Sequence, residues 1–267
     1  MHELVIKDLL NKMKIQNPLV HHITNNVTIN DCANVTLAIG GSPVMATSID
    51  EVADMVNLAN ALVINFGTID DQTFDAMILA GKAANEKGIP VIFDPVGVGA
   101  TPFRTKKAQE LLNKVSVSIV RGNATEVYAL IGGDAQTRGV DAGKIPLSNE
   151  KLALKASKDL KAITVISGKL DVISNGEETK SIENGDIWLT RITGTGCMTT
   201  SLIGCFASIT NDFFSAAIAG MSVMSLSGER AKTRLNQNDG IGTYRVMLMD
   251  EISLITAEIW EEGVRFA

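Results

Sequence analysis

Cysteine, histidine and aromatic residues are scarce in this 267-residue chain, which has three Cys, three His and only 4% Phe, Trp and Tyr. Cys32, Cys197 and Cys205 form no CxxC pair and have no histidine at a zinc-ligand spacing. This excludes a zinc module or a disulfide framework and is typical of a reducing compartment. So few aromatics suit helices packed on a parallel sheet better than an aromatic-rich binding surface.

Basic runs and long apolar runs are also absent. With 24 Lys and Arg against 30 Asp and Glu, the formal charge is −6, which gives no basic footprint for nucleic acid. The longest nearly uncharged stretch, 213–228, contains several serines and is too short to span a bilayer. The N-terminus lacks the apolar region of a signal peptide, and Val5, Leu9 and Met13 predict an amphipathic helix there. We therefore predict a soluble cytoplasmic protein without a membrane or nucleic-acid partner.

Two common nucleotide-binding motifs are missing as well. No GxxxxGK[ST] segment occurs, which excludes a P-loop enzyme. Gly-x-Gly pairs occur at 97/99, 194/196 and 240/242, but none extends to GxGxxG, so a dinucleotide-binding domain is poorly supported.

Short apolar runs alternate with helical patterns over most of the chain. Strands are predicted at 18–23, 61–66, 90–94, 115–121 and 163–167, and helices at about 28–39, 51–58, 71–87, 104–114 and 149–160. This alternation predicts an α/β fold with a mainly parallel central sheet flanked by helices. Segments 171–175 and 179–182 predict a short antiparallel addition at the sheet edge, and the chain is helical from Gly194 onward. No linker or repeat divides it, so we predict a single domain over 1–267.

A glycine-rich turn, Gly194-Thr195-Gly196-Cys197, directly precedes a helical pattern. Backbone N–H groups and the helix dipole at such a helix start favour an anion, and a phosphoryl group in transfer would fit there. The alternative is a loop whose glycines only permit tight helix packing. Spacing alone does not decide between the two.

Acidic residues lie where predicted strands end, which in a parallel sheet is where ligands bind. Asp94 ends one strand, and Asn123 and Glu126 follow the next. Mg²⁺ needs only one or two carboxylates beside phosphates, so Asp94 and Glu126 are candidate metal ligands. The alternative for the second pair is helix capping, with Asn123 as N-cap and Glu126 as its capping-box partner. Both roles can coexist.

Cys197 has two interpretations. A buried cysteine usually acts as a small apolar residue, whereas a thiol at a helix N-terminus has a lowered pKa and can act as a base or nucleophile. A nucleophile needs a histidine partner, and only His21 or His22 could provide one from a neighbouring strand. A cysteine-nucleophile hydrolase or transferase therefore stays open at this point.

Taken together, the motifs resemble the ribokinase-like kinases and, within them, the hydroxyethylthiazole kinase family of thiamine salvage. The resemblance covers essentially the whole chain and is carried by NNVTINDCAN (25–34), GGSPVMA (40–46), INFGT (64–68), DPVGVGAT (94–101), RGNATEV (121–127) and TGTGC (193–197). It implies a three-layer ribokinase-like fold and ATP-dependent phosphorylation of the hydroxyl of 4-methyl-5-(2-hydroxyethyl)thiazole. It also implies Mg²⁺ as cofactor and a homotrimer with active sites shared between subunits.

The resemblance also implies a role for each matching residue. Gly194, Thr195, Gly196 and Cys197 would form the catalytic anion hole, and Asp94 and Glu126 would handle magnesium. The ATP contacts would be Arg121, Asn123 and Ser167, and the substrate contacts Met45, Gly194 and Asn25.

One position departs from the wider superfamily, most of whose members have aspartate where this chain has Cys197. The cysteine and the GGSPVM segment favour the thiazole branch over a kinase for another vitamin precursor such as hydroxymethylpyrimidine. The hypothesis is that Cys197 orients and partly deprotonates the alcohol.

Overall fold

The computed structural model describes residues 2–133 and 145–267, and its centre is one β-sheet. The strands of the described residues are β1 (Leu19–Ile23), β2 (Ser42–Val44), β3 (Ala61–Asn65), β4 (Val91–Asp94), β5 (Ile119–Asn123), β6 (Ile163–Ser167), β7 (Asp171–Ser174) and β8 (Thr179–Ile182). Their order is β2-β1-β3-β4-β5-β6-β7-β8. The first six strands pair in parallel, and β7 and β8 add an antiparallel hairpin.

Helices connect and cover these strands. They are α1 (His2–Gln16), α2 (Ile29–Ile39), α3 (Val52–Leu58), α4 (Asp71–Lys87), α5 (Pro102–Lys114), α6 (Ala124–Leu130), α7 (Asn149–Leu160), α8 (Thr195–Ala207), α9 (Phe213–Thr233), α10 (Ile241–Leu254) and α11 (Ala257–Gly263), with a 3₁₀ helix at Ile187–Arg191. None of these helices is long and apolar enough to cross a membrane.

Alternation along the strands separates two layers of helices, as strand geometry requires. In β3, Ala61 and Val63 pack on the side of α1, α2 and α8 to α11, whereas Leu62 and Ile64 pack on the side of α3, α4 and α5. Helix α9 contains the nearly uncharged stretch 213–228 and is buried along most of its length. A helix that is apolar nearly all round is typical of a protein core, so burial of α9 accounts for the lack of charged residues in this stretch.

The predicted elements agree closely with the structure at β1, β3, β4 and β6, at helices α2 to α5, and at α7. The antiparallel β7–β8 hairpin and the helical C-terminal third are also confirmed. The strand predicted at 115–121 is wrong in its bounds, because Val115 still caps α5 through its N–H to the carbonyl oxygen of Leu111. The pattern did not predict the three-residue edge strand β2 or the 3₁₀ helix. The predicted domain includes residues 1 and 134–144, which lie outside the described residues.

Candidate active site

The carboxyl ends of the parallel strands and the start of α8 surround a cavity of about 420 Å³, called here the smaller cavity. The residues predicted from sequence that line it are Asn25, Asp94, Arg121, Asn123, Glu126, Ser167, Gly194, Gly196 and Cys197. These residues lie at or just after the carboxyl ends of β1, β4, β5 and β6 and at the starts of the helices α6 and α8. The cavity is open to solvent, and its lining includes two carboxylates and one guanidinium.

A larger cavity of about 670 Å³ adjoins it. Arg121, Ser167 and Gly196 line both cavities and so form a shared wall. Among the other predicted residues, Thr195 lines the larger cavity, whereas Met45 lines neither. Apolar side chains of the larger cavity include Leu189, Met221 and Met224.

The predicted helix start at residues 194–197 is confirmed. Gly194 is the N-cap of α8 with φ +89°, a left-handed conformation that glycine adopts readily. The helix begins with the bond from Met198 N to Gly194 O (2.8 Å), so the N–H groups before it lack an acceptor within the helix. A Cβ on Gly194 would lie 2.5 Å from Thr28 Cγ2, and one on Gly196 would collide with the Arg121 guanidinium. Both glycines therefore permit close packing, and they leave free donors at the cavity.

Asp94 is fully buried and has one satisfied and one free carboxylate oxygen. Its Oδ2 accepts hydrogen bonds from Asn65 Nδ2 and from Thr200 Oγ1, both at 2.8 Å. Its Oδ1 has no hydrogen-bond partner and lies 4.0 Å from Arg121 Nη1. Burial raises the pKa of Asp94 to about 6, against the opposing charge of Arg121. A buried oxygen without a partner, directed at a cavity, is suited to a metal ion, a water or a substrate group.

Glu126 forms the capping box that was the alternative to a metal role. Its Oε2 accepts from Asn123 N (2.9 Å), and Asn123 Oδ1 accepts from Glu126 N (2.9 Å). The other oxygen, Oε1, accepts from Gly97 N at 2.9 Å. Glu126 still lines the smaller cavity, so its carboxylate is held by two backbone N–H groups while facing the space beside Asp94.

These two carboxylates fit magnesium better than a metal that prefers nitrogen or sulfur. Within residues 2–133 and 145–267, no group of three or more His, Cys, Asp and Glu is arranged to hold a metal ion. Mg²⁺ typically keeps several waters and uses one or two carboxylates together with substrate phosphates. The free Oδ1 of Asp94 supplies the oxygen ligand that such a site requires.

Arg121 is the cation of the shared wall. Its Nη2 donates to Ser167 Oγ (2.7 Å), which fixes the guanidinium between the ends of β5 and β6. Its Nε is buried without a hydrogen-bond partner. A planar guanidinium with free donors suits a phosphate that lies across the two cavities.

The surroundings of Cys197 favour one of its two interpretations. Burial of the side chain raises the pKa of the Cys197 thiol above its ordinary value, and the charge of Asp94 raises it further. This favours a neutral thiol over a thiolate. Asn65 Nδ2 (3.3 Å) and Asn25 Nδ2 (3.4 Å) lie within hydrogen-bond distance of the sulfur.

Neither candidate histidine serves the cysteine. His21 Nε2 donates to Ala46 O (2.7 Å), and His22 Nδ1 donates to Val20 O (3.0 Å). Both rings are buried, and burial lowers the pKa of His22 to about 4. The pairing that a cysteine nucleophile requires does not occur among the described residues, which removes the main support for a hydrolase.

Asn65 was not selected from the sequence although it connects the site residues. Its Nδ2 reaches Asp94 and Cys197, and its Oδ1 accepts from Asn25 Nδ2 (2.9 Å) and Gly67 N (2.8 Å). It ends β3, so the rule that selected Asp94 could have found it. An asparagine at a strand end is too common to stand out without its neighbours.

Comparison with known proteins shows the family of this chain. The profile of the hydroxyethylthiazole kinase family matches residues 10–258. A hydroxyethylthiazole kinase from Ruminiclostridium cellulolyticum is 46% identical over 97% of this chain and 96% of its own length. The chain belongs to the hydroxyethylthiazole kinase family. Another of that name, from Alkaliphilus oremlandii, is 47% identical over 92% of this chain and 91% of its own length.

Solved structures confirm the predicted ribokinase-like fold. The hydroxyethylthiazole kinase protein from Pyrococcus horikoshii superimposes with a TM-score of 0.88 at 32% identity, covering 99% of this chain and 98% of that one. A ribokinase-like superfamily protein from Enterococcus faecalis has a TM-score of 0.64 at 12% identity, covering 92% of this chain and 94% of that one. The second similarity concerns the fold alone.

Proposed function

We propose that this chain transfers the γ-phosphoryl group of ATP to the hydroxyl of 4-methyl-5-(2-hydroxyethyl)thiazole in thiamine salvage. The supporting observation is that the free N–H groups at the start of α8 and the Arg121 guanidinium lie at the shared wall, while the unpartnered Oδ1 of Asp94 faces the smaller cavity beside it. Phosphoryl transfer depends mainly on positioning and on stabilising charge on the transferred oxygens. Donors and a cation at one cavity, with carboxylates beside them, meet that need.

The nucleotide occupies the larger cavity in this proposal, and the alcohol occupies the smaller one. Leu189, Met221 and Met224 offer the base an apolar surface, while Ser167, Asn123 and Arg121 lie towards the phosphates. The reacting phosphoryl group then crosses the shared wall, where the N–H groups of residues 195–197 receive its oxygens. Of the predicted ATP contacts, Arg121 and Ser167 line both cavities, and Asn123 lines the smaller one next to them.

Asp94 and Glu126 would hold Mg²⁺, which when bound offsets phosphate charge. The backbone N–H groups on Glu126 and the side chains of Asn65 and Thr200 on Asp94 keep both carboxylates oriented. Cys197 acts in this proposal as a neutral thiol that orients the alcohol, because burial raises its pKa. Proton removal from the alcohol then contributes less than positioning does.

The proposal includes a homotrimer and one kinase domain over 1–267. Met45 follows the edge strand β2 and lines neither cavity of its own chain. A substrate contact from Met45 therefore requires the cavity of a neighbouring subunit. Sedimentation of the purified protein distinguishes a trimer from a monomer, and Met45→Ala raises the KM for the thiazole alone if this contact is made.

The deciding experiment measures ADP formation from MgATP with the thiazole, with hydroxymethylpyrimidine and with no acceptor. Thiazole-dependent ADP release that EDTA abolishes is the expected result. Release with the pyrimidine only would keep the kinase and change its substrate. No acceptor-dependent release from folded protein would contradict the kinase proposal.

A further inference from the structure

Arg104, on the first turn of α5, lies behind the site and lines neither cavity. Its Nη1 donates to the carbonyl oxygens of Phe66 and Val96 (2.9 Å to the second), and its Nη2 donates to Gly67 O at 2.9 Å. No carboxylate of the described residues forms an ion pair with it. The guanidinium therefore donates its hydrogen bonds to backbone carbonyls of the two loops that follow β3 and β4.

The two carbonyls on Nη1 belong to peptide units that face the site. The carbonyl of Phe66 and the N–H of Gly67 form one planar trans peptide, and so do the carbonyl of Val96 and the N–H of Gly97. In a trans peptide the C=O and the N–H point in opposite directions, so holding the oxygen directs the hydrogen to the far side. One nitrogen atom of Arg104 thus orients two N–H groups.

Those two N–H groups hold the side chains around the candidate metal. Gly67 N donates to Asn65 Oδ1 (2.8 Å), and Asn65 in turn holds Asp94 Oδ2. Gly97 N donates to Glu126 Oε1 at 2.9 Å. Glu126 is therefore connected to the guanidinium through one peptide unit, and Asp94 through one peptide unit and the side chain of Asn65.

We infer that Arg104 is a positioning residue that sets the orientation of both Asp94 and Glu126 through the peptides 66–67 and 96–97. Only arginine offers a rigid planar fork that can hold carbonyls of two loops at once, whereas lysine is a flexible point charge. Gly97 is packed against this fork, since a Cβ there would lie 3.1 Å from Arg104 Cδ, and its φ of +75° also favours glycine. The metal part of the inference rests on the proposed function.

Lys87 provides a matched control. Its Nζ also donates to three backbone carbonyls, those of Val56, Asn57 and Ala59, but these precede β3 at the opposite edge of the sheet. Lys87→Gln and Arg104→Gln therefore remove comparable contacts, one far from the site and one behind it. Both variants are expected to lower the unfolding temperature.

Two readouts separate a positioning role from a structural one. Hydrogen–deuterium exchange of peptides covering 64–68 and 95–99 should accelerate at least about tenfold in Arg104→Gln and stay unchanged in Lys87→Gln. Mn²⁺ binding in the presence of ADP, followed by electron paramagnetic resonance, should weaken about 10–100-fold in Arg104→Gln only, the range for lost outer-shell support of a metal site. If Arg104→Gln does not fold, Arg104→Lys is measured in the same way and should show both effects.

Unchanged exchange and wild-type Mn²⁺ affinity in the folded Arg104 variant would overturn the inference, whatever happens to stability. Faster exchange with unchanged Mn²⁺ affinity would also overturn it, since the loops would then not govern the carboxylates. If the wild type failed to phosphorylate the thiazole, the proposed function would fail, while these two measurements would still decide the role of Arg104.

Discussion

The two adjoining cavities differ in what they can recognise although they share a wall. The smaller one contains Asp94 and Glu126, whose carboxylates are oriented by fixed donors while Oδ1 of Asp94 stays without a partner. The larger one presents the apolar side chains of Met221 and Met224 on α9 together with charged residues, namely Lys169, Asp171, Glu183 and Asp186. Fixed polar groups provide charge stabilisation, and apolar side chains provide contact area with little directionality. Reaction chemistry is thus expected at the smaller cavity and shared wall, and cosubstrate affinity in the larger cavity.

The largest effect is expected from Asp94→Asn, which keeps the shape of the side chain and removes its charge. ADP formation should fall about a thousandfold, as when a key electrostatic group is lost from a reaction site. Affinity for ADP without metal should stay within about twofold, because the larger cavity does not include Asp94. A variant with more than about a tenth of wild-type activity would contradict this division between cavities.

The same variant gives a pH prediction. The pKa of Asp94 is raised to about 6 from an ordinary 3.8, so the folded state holds the proton more tightly than the unfolded chain. Its stabilising effect is complete below pH 3.8 and is lost as pH rises through 6, a change of about 3 kcal/mol. Urea unfolding should therefore show Asp94→Asn gaining about that much relative to wild type between pH 4 and 7.

Gly196→Ala tests the shared wall itself. The new Cβ would displace the Arg121 guanidinium, and a misplacement of that kind at a reaction site can cost about a hundredfold in rate. Gly242→Ala is the control, because a Cβ there meets nothing within 4 Å and alanine favours a helix. Equal turnover in the two variants would show that the wall tolerates movement of Arg121.

A smaller effect is expected from Cys197→Asp. Activity should stay within about tenfold of wild type or increase, because a carboxylate is a stronger base than a buried neutral thiol and general-base help contributes roughly 10²–10⁴-fold. Steady-state ADP release, with circular dichroism to confirm folding, measures this. A well-folded but inactive variant would count against an orienting role for Cys197.

The smallest effect is expected from Ser167→Ala, which removes one hydrogen bond from Arg121 at the shared wall. The Arg121 guanidinium and its charge stay in place, so the KM for ATP should rise only about fivefold, which corresponds to about 1 kcal/mol, with little change in kcat. The KM for the thiazole is the internal control and should not move. A change confined to the thiazole KM would assign Ser167 to the smaller cavity alone.

Several residues of this site could be selected from local sequence patterns. Asp94 and Arg121 could be selected because parallel strands bring their carboxyl ends to one edge, which follows from the order of strands and helices. The 194–197 turn could be selected because glycines before a helix leave its first N–H groups free. The capping box at Asn123 and Glu126 is likewise local, since its partners are three residues apart.

Local sequence patterns do not predict contacts between segments that are far apart along the chain. Asn65 acquires its importance from Asn25, Asp94 and Cys197, which come from other parts of the chain. The two interpretations of Cys197 could not be separated from the sequence, because the burial and the Asp94 charge that raise the pKa of its thiol come from other parts of the chain. Met45 lines neither cavity of its own chain, which its position in the sequence did not indicate.

The sequence by itself determined the layered α/β architecture, the helix start at Gly194 and the family, because periodicity, capping and motif order are properties of neighbouring residues. Only the tertiary structure decided which carboxylate oxygen of Asp94 is free, how Cys197 is protonated and what Arg104 holds. Those properties depend on burial and on hydrogen-bond partners from different loops. These loops come together only when the sheet has formed, because they lie far apart along the chain.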